Sequence, residues 1–231
     1  MDSSSFASVA LSLASALSWG GGDFSGGLAC KKTNAFYVVA VAHATGLLLV
    51  AALALLRQES FPGTHAMTWG ALAGITGAVG LAALYRGLAV GKMGIVGPIA
   101  AVITAAGPVI YGIAVQGAPK PIKLWGFALA AVGIILISKP ERSEGKPKGI
   151  GLALLAGFGF GGFLICINRA GNATVFWPLV AARVVSLVFM LLLIAFGRRE
   201  RASTPKPWLI MVLAGVLDTA EIGRASCRER V

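Results

Sequence analysis

Long apolar stretches alternate along the chain with short polar connections. A helix rises about 1.5 Å per residue, so about 20 mostly apolar residues are needed to cross a hydrocarbon core of about 30 Å. The stretches that meet this condition are Phe6–Ala29, Ala35–Leu56, Met67–Val90, Ile95–Val115, Ile122–Ser138, Gly149–Ile167 and Thr174–Phe196. An eighth begins at Trp208 and is expected to stop near Ala220. The pattern predicts an all-α integral membrane protein with about eight transmembrane helices.

The longest polar connection, Lys139–Lys148, holds two prolines and six charges and divides the chain in two. The parts on either side resemble each other. Leu13–Gly22 reads LASALSWGGG and Leu154–Phe163 reads LLAGFGFGGF, each with an aromatic residue before paired glycines. The next helices align so that Val41–Thr45 faces Ala181–Val185, which sets His43 opposite Arg183, and Trp69 falls near the place of Trp208. Five helices then form one repeat over residues 1–138, the linker covers 139–148, and a second, partial repeat covers 149–220. An odd number of helices per repeat makes the second copy insert upside down, the arrangement of many secondary transporters.

Composition narrows the picture. Residues are 57% hydrophobic and 13% charged, against about 25% charged in soluble domains. A soluble enzyme, a disordered chain and a secreted disulfide scaffold are disfavoured. The net charge of +11 would point to nucleic acid in a soluble protein, but here the basic residues sit between apolar runs and set topology, so no nucleic-acid partner is expected. The first, third, fifth and seventh connections hold 12 Lys and Arg against 4 in the others, which places the N-terminus outside. Cys30, Cys166 and Cys227 lack metal-site spacing. The N-terminus has no positive leader region, so the first helix is expected to be retained. Glu221–Val231 carries five charges in eleven residues and resembles in-frame read-through of a sequencing adapter. It is expected to be a non-native tail that interrupts the second repeat, which would otherwise complete ten helices.

Several of these residues are shared with a known family. Trp19-Gly20 in the first helix, the run Leu84-Tyr85-Arg86-Gly87-Leu88-Ala89 leaving the third, Pro98 and Pro108 in the fourth, a short fifth helix and the charged linker give the pattern. Over about Ala7–Ala220 the chain resembles the drug/metabolite transporter superfamily, and specifically its EamA-type permeases. The resemblance implies ten helices in two inverted five-helix repeats, a small-molecule substrate, the lipid bilayer as surroundings and a multi-pass place in the cell inner (plasma) membrane. Asp23 departs from the pattern of many relatives.

Ionisable groups within the membrane are costly and are functional candidates by default. Asp23 lies eight residues before Lys31, roughly 12 Å along a helix axis, and a carboxylate at that depth suits proton coupling or, equally, a bond to neighbouring serine or backbone donors. Arg183 is about nine residues into the seventh helix. It stays charged, so it needs a carboxylate, a carbonyl or an anionic ligand, and can pair with Asp23 or bind a substrate carboxylate; a structural ion pair is the competing reading. His43 lies at similar depth and fits a packing residue as well as a site residue. Asp218 is ten residues past Trp208, with its role open. Trp19, Phe24, Tyr85 and Tyr111 are candidate cavity aromatics, with packing or an interfacial place as the competing reading, and Pro98 frees a carbonyl that a ligand can use only where it lines a cavity. Arg86 and Arg169, near helix ends, read as interfacial anchors.

No zinc-protease or phosphate-loop motif is present, so no catalytic residue, metal or cofactor is expected. The expected function is secondary transport of a small polar, amino-acid-like metabolite by alternating access, with Asp23 the candidate for proton coupling. Efflux of lipophilic cations is the alternative within the same class. A membrane-embedded lipid-modifying enzyme, or an inactive fragment, is the alternative from another.

Overall fold

The computed structural model describes residues 3–117, 119–137, 148–171, 174–196 and 207–228. The charged linker, apart from Lys148, and residues 229–231 of the tail lie outside them. Eight helices follow one another with no strand among the described residues: α1 (Ser3–Cys30), α2 (Ala35–Leu56), α3 (Thr64–Val90), α4 (Met93–Gln116), α5 (Pro121–Ile137), α6 (Ile150–Ala170), α7 (Phe176–Phe196) and α8 (Trp208–Arg228). Local chemistry sets several boundaries. Asn34 adopts an extended backbone and its Oδ1 accepts from the Phe36 N–H at 2.8 Å, capping α2. Gly117 and Gly171, with φ of +86° and +89°, end α4 and α6 in a conformation open to glycine.

Helices α2, α3, α4, α6 and α7 are long and apolar enough to cross a membrane. The chain is therefore a multi-span, all-α membrane protein. In α1 the serines, glycines and Asp23 dilute the apolar content, and α5 has only 17 residues. The eighth helix corrects the expected stop near Ala220, because its backbone stays helical to Arg228. Its apolar part covers only Trp208–Thr219, but a change to polar residues does not end a helix. Glu, Ala and Arg are good helix formers, and no proline or glycine pair follows Thr219.

Helix contacts use small residues, as expected where lipid removes the hydrophobic drive for association and close backbone approach supplies it. Gly159 meets the backbone of Gly80, joining α6 to α3. Large apolar side chains point outward instead, Leu17 and Phe196 among them. The α5 helix packs on α4 alone among the described residues.

The major contacts come in reciprocal pairs. The α3 helix packs on α6 and α7, and α8 packs on α1 and α2. A methyl group at Gly74 of α3 would lie 2.9 Å from Cα of Ala182 in α7, and one at Gly215 of α8 would lie 2.8 Å from Cα of Ala42 in α2. Between these pairs α2 and α7 cross. There His43 of α2 meets Ser186 of α7, and Arg183 of α7 lies over Gly46 of α2.

Candidate functional site

A cavity of about 640 Å³ opens between the helices, with two unlike walls. One wall, from α1, α2, α7 and α8, carries Asp23, His43, Arg183, Ser186 and Asp218. The other, from α3, α4 and α6, presents Gly77, Leu81, Thr104, Phe160 and Phe163. Trp19 and Phe24 flank Asp23 on the charged side.

Arg183 and Asp218 form an ion pair at 2.5 Å, with side-chain exposures of 10% and 16%. The sequence left the partner of Arg183 open between Asp23, a substrate and a structural ion pair, and the structure sets Asp218 against it. The reason is helix packing. Asp218 rides on α8, which lies against α2, and Gly46 of α2 has no side chain to block the guanidinium. A Cβ at position 46 would stand 2.6 Å from Thr219 Oγ1 and 3.3 Å from Arg183 Nε. Thr219 Oγ1 is held in turn by donating to the carbonyl of Gly215 at 2.8 Å. His43, also buried, shares a short hydrogen bond between Nδ1 and Ser186 Oγ.

The start of α7 is fixed from outside the cavity. The carboxylate of Glu59, in the α2–α3 connection, accepts from the N–H groups of Val175, Phe176 and Trp177 at 2.6, 2.8 and 3.2 Å. The Trp177 indole donates back to the Glu59 carbonyl at 2.9 Å. A carboxylate on the unpaired N–H groups and positive dipole end of a helix is doubly favourable. Phe61 stacks edge-on against Trp177, with ring centroids 5.3 Å apart. Arg183 stands about two turns further along the helix that this clasp orients.

Of the residues expected at a site, the cavity gathers Trp19, Asp23, Phe24, His43, Arg183 and Asp218. Tyr85, Pro98 and Tyr111 are not among its lining residues. Tyr85 is fully buried behind the wall, with its ring filling the space that a Cβ at Gly26 would need. Its hydroxyl has no hydrogen-bond partner among the described residues. Pro98 sits in α4 beside Gly97, and it is Gly97 that reaches the cavity. Arg86 is exposed near the end of α3, in keeping with an anchor.

Sequence reasoning missed Gly46, Ser186 and Glu59. Ser186 had a weak signal, as a polar residue one turn beyond Arg183 on an apolar helix, and Gly46 had none. No group of three or more His, Cys, Asp or Glu side chains is placed to hold a metal among the described residues. The cavity instead offers one cation, two carboxylates and an imidazole at the edge of an apolar space, which suits binding and proton exchange. No protein-family model and no curated protein matches the sequence, so function has to be read from this cavity.

Proposed function

We propose that the protein is a secondary transporter that carries a small polar, amino-acid-like metabolite across the inner (plasma) membrane by alternating access, with Asp23 exchanging a proton during the cycle. One observation carries the reading: ionisable side chains from four helices, two early and two late in the chain, line a single cavity. Intramembrane charges of this kind mark substrate and proton pathways. The reciprocal contacts of α3 with α7 and of α8 with α2 support two inverted repeats rocking around that cavity. The resemblance to EamA-type permeases points the same way.

In this reading the substrate ammonium takes Asp23, between Trp19 and Phe24. The substrate carboxylate competes with Asp218 for the Arg183 guanidinium, whose planar fork suits a carboxylate. The Arg183–Asp218 pair keeps the cation satisfied when the cavity holds no substrate.

Export of lipophilic cations is a second reading, favoured by a specific observation. Asp218 pairs with Arg183, and Asp23 adds a second carboxylate to a cavity whose other wall is apolar. Counterflow separates the two. In proteoliposomes loaded with labelled amino acids, unlabelled amino acids should drive exchange while tetraphenylphosphonium should not, and Asp23→Asn should abolish the accompanying proton flux. Exchange driven by tetraphenylphosphonium alone would establish the second reading. Proton flux unchanged in Asp23→Asn would remove Asp23 from the mechanism, and absence of any exchange would reject transport.

A further inference from the structure

Outside the cavity, Arg169 is held between aromatic rings without a polar partner for its guanidinium among the described residues. Arg169 is the penultimate residue of α6, and its guanidinium lies 5.6 Å from the ring centroid of Trp69 in α3 and 5.7 Å from that of Tyr111 in α4. His65, the second residue of α3, ties the same helix end down through a 3.1 Å contact between its Nε2 and the Arg169 carbonyl oxygen. Among the described residues the guanidinium makes no ion pair and no hydrogen bond. Glu59, the carboxylate of the α2–α3 connection that leads into α3, directs both oxygens at the start of α7.

Depth and geometry specify what this cation meets. The start of α3 and the ends of α4 and α6 converge here, at one edge of the spanning helices. Trp69 and Tyr111 lie five residues inside their helix ends, about 7.5 Å along the axis, the level of an interfacial aromatic belt. Arg169 starts further out and lies back over the rings, so its charge sits at the boundary between acyl chains and headgroups. Cation–π contact holds the guanidinium while leaving its in-plane N–H donors unused. Those donors match two oxygens of a phosphate in a bidentate pair. Asn168, exposed beside it, carries further amide donors.

We propose that the Arg169–Trp69–Tyr111 cluster binds the phosphodiester of an anionic lipid headgroup. The site stands apart from the transport cavity and does not depend on the transport reading.

The test uses the purified chain in detergent, with bound lipid counted by native mass spectrometry during titration with phosphatidylglycerol, phosphatidylcholine or inorganic phosphate. Phosphatidylglycerol should be retained in preference to phosphatidylcholine. Arg169→Gln should weaken its binding about fivefold, the share of one basic residue near an anionic surface, and leave phosphatidylcholine unchanged. Arg169→Lys, which keeps the charge but loses the planar fork, should fall between. Phosphatidylglycerol binding unchanged in Arg169→Gln would overturn the site, and its displacement by millimolar inorganic phosphate would reassign it to free phosphate. A second measurement, on the ring rather than the cation, keeps the test decisive. Brominated phosphatidylglycerol should quench wild-type tryptophan fluorescence more than brominated phosphatidylcholine does, and Trp69→Phe should lose that difference. Equal quenching by the two lipids in the wild type would also overturn the proposal.

Discussion

The two arms of the α2–α7 crossing occupy matching places and do different chemistry. The same spacing along the chain separates His43 from Arg183 and Gly46 from Ser186. Each basic residue reaches across to the position one turn beyond its counterpart: His43 to Ser186, and Arg183 to Gly46. On one arm the reach ends in a neutral hydrogen bond. On the other the position is empty of side chain, and the guanidinium continues past it to Asp218 on a third helix. The backbone scaffold is thus nearly symmetric about this crossing, and the charge is not. Small residues serve both arms alike, with Gly74 against Ala182 and Gly215 against Ala42. The asymmetry of the side chains places the Arg183–Asp218 ion pair in the cavity wall.

The largest test of this difference removes the end point of the longer arm. Asp218→Ala should leave a buried guanidinium without its carboxylate, at a cost of about 3–5 kcal/mol. Equilibrium unfolding in mixed micelles measures it. Replacing the pair together, with Arg183→Met and Asp218→Leu, should recover most of that loss, because no buried charge is then left alone. If the single substitution costs no more than a surface change, the arm does not end at Asp218 and the contrast between the two sides disappears.

Why that end point escaped the sequence is instructive. Counting residues from the ends of apolar runs placed Asp23, His43, Arg183 and Asp218 at middle depth, and the cavity collects all four. Depth is a one-dimensional property, set by rise per residue, so the sequence carries it. The partner of Arg183 depends on which helices cross and at what angle, and on a missing side chain at Gly46, and neither is a local feature. Tyr85 failed for a similar reason. It was a candidate as an aromatic, but its direction was decided by the space over Gly26 on a neighbouring helix. Helix α8 shows the limit of reading hydropathy as secondary structure. Apolar character ends at Thr219 while the backbone continues to Arg228, since lipid solubility and helix propensity are separate properties of the same residues. Glu59 was overlooked because a lone acid in a connection has many uses, and only the approach of the α7 start makes it a cap.

A smaller effect should follow from filling the gap that lets the longer arm through. Gly46→Ala sets a methyl group against Thr219 Oγ1 and Arg183 Nε, and overpacking of this kind costs about 1–3 kcal/mol. The cost should fall in an Asp218→Ala background, where the guanidinium no longer has to hold one position. A double-mutant cycle reads that coupling directly. Additive effects would mean that Gly46 serves only helix contact, and that the route of Arg183 across α2 is incidental.

The shorter arm should respond least. Ser186→Ala removes the partner of His43 Nδ1, and interhelical hydrogen bonds in membrane proteins average about 0.6 kcal/mol. Two features keep the expected loss near that value. His43 lines the cavity, so its ring nitrogen can bond another polar group there, and the deletion leaves no uncompensated charge. Unfolding of Ser186→Ala in the same micelles should therefore show a shift several times smaller than that of Asp218→Ala. A loss comparable to that of the ion pair would make the two arms energetically equal, and would locate the asymmetry of the crossing in geometry alone rather than in charge.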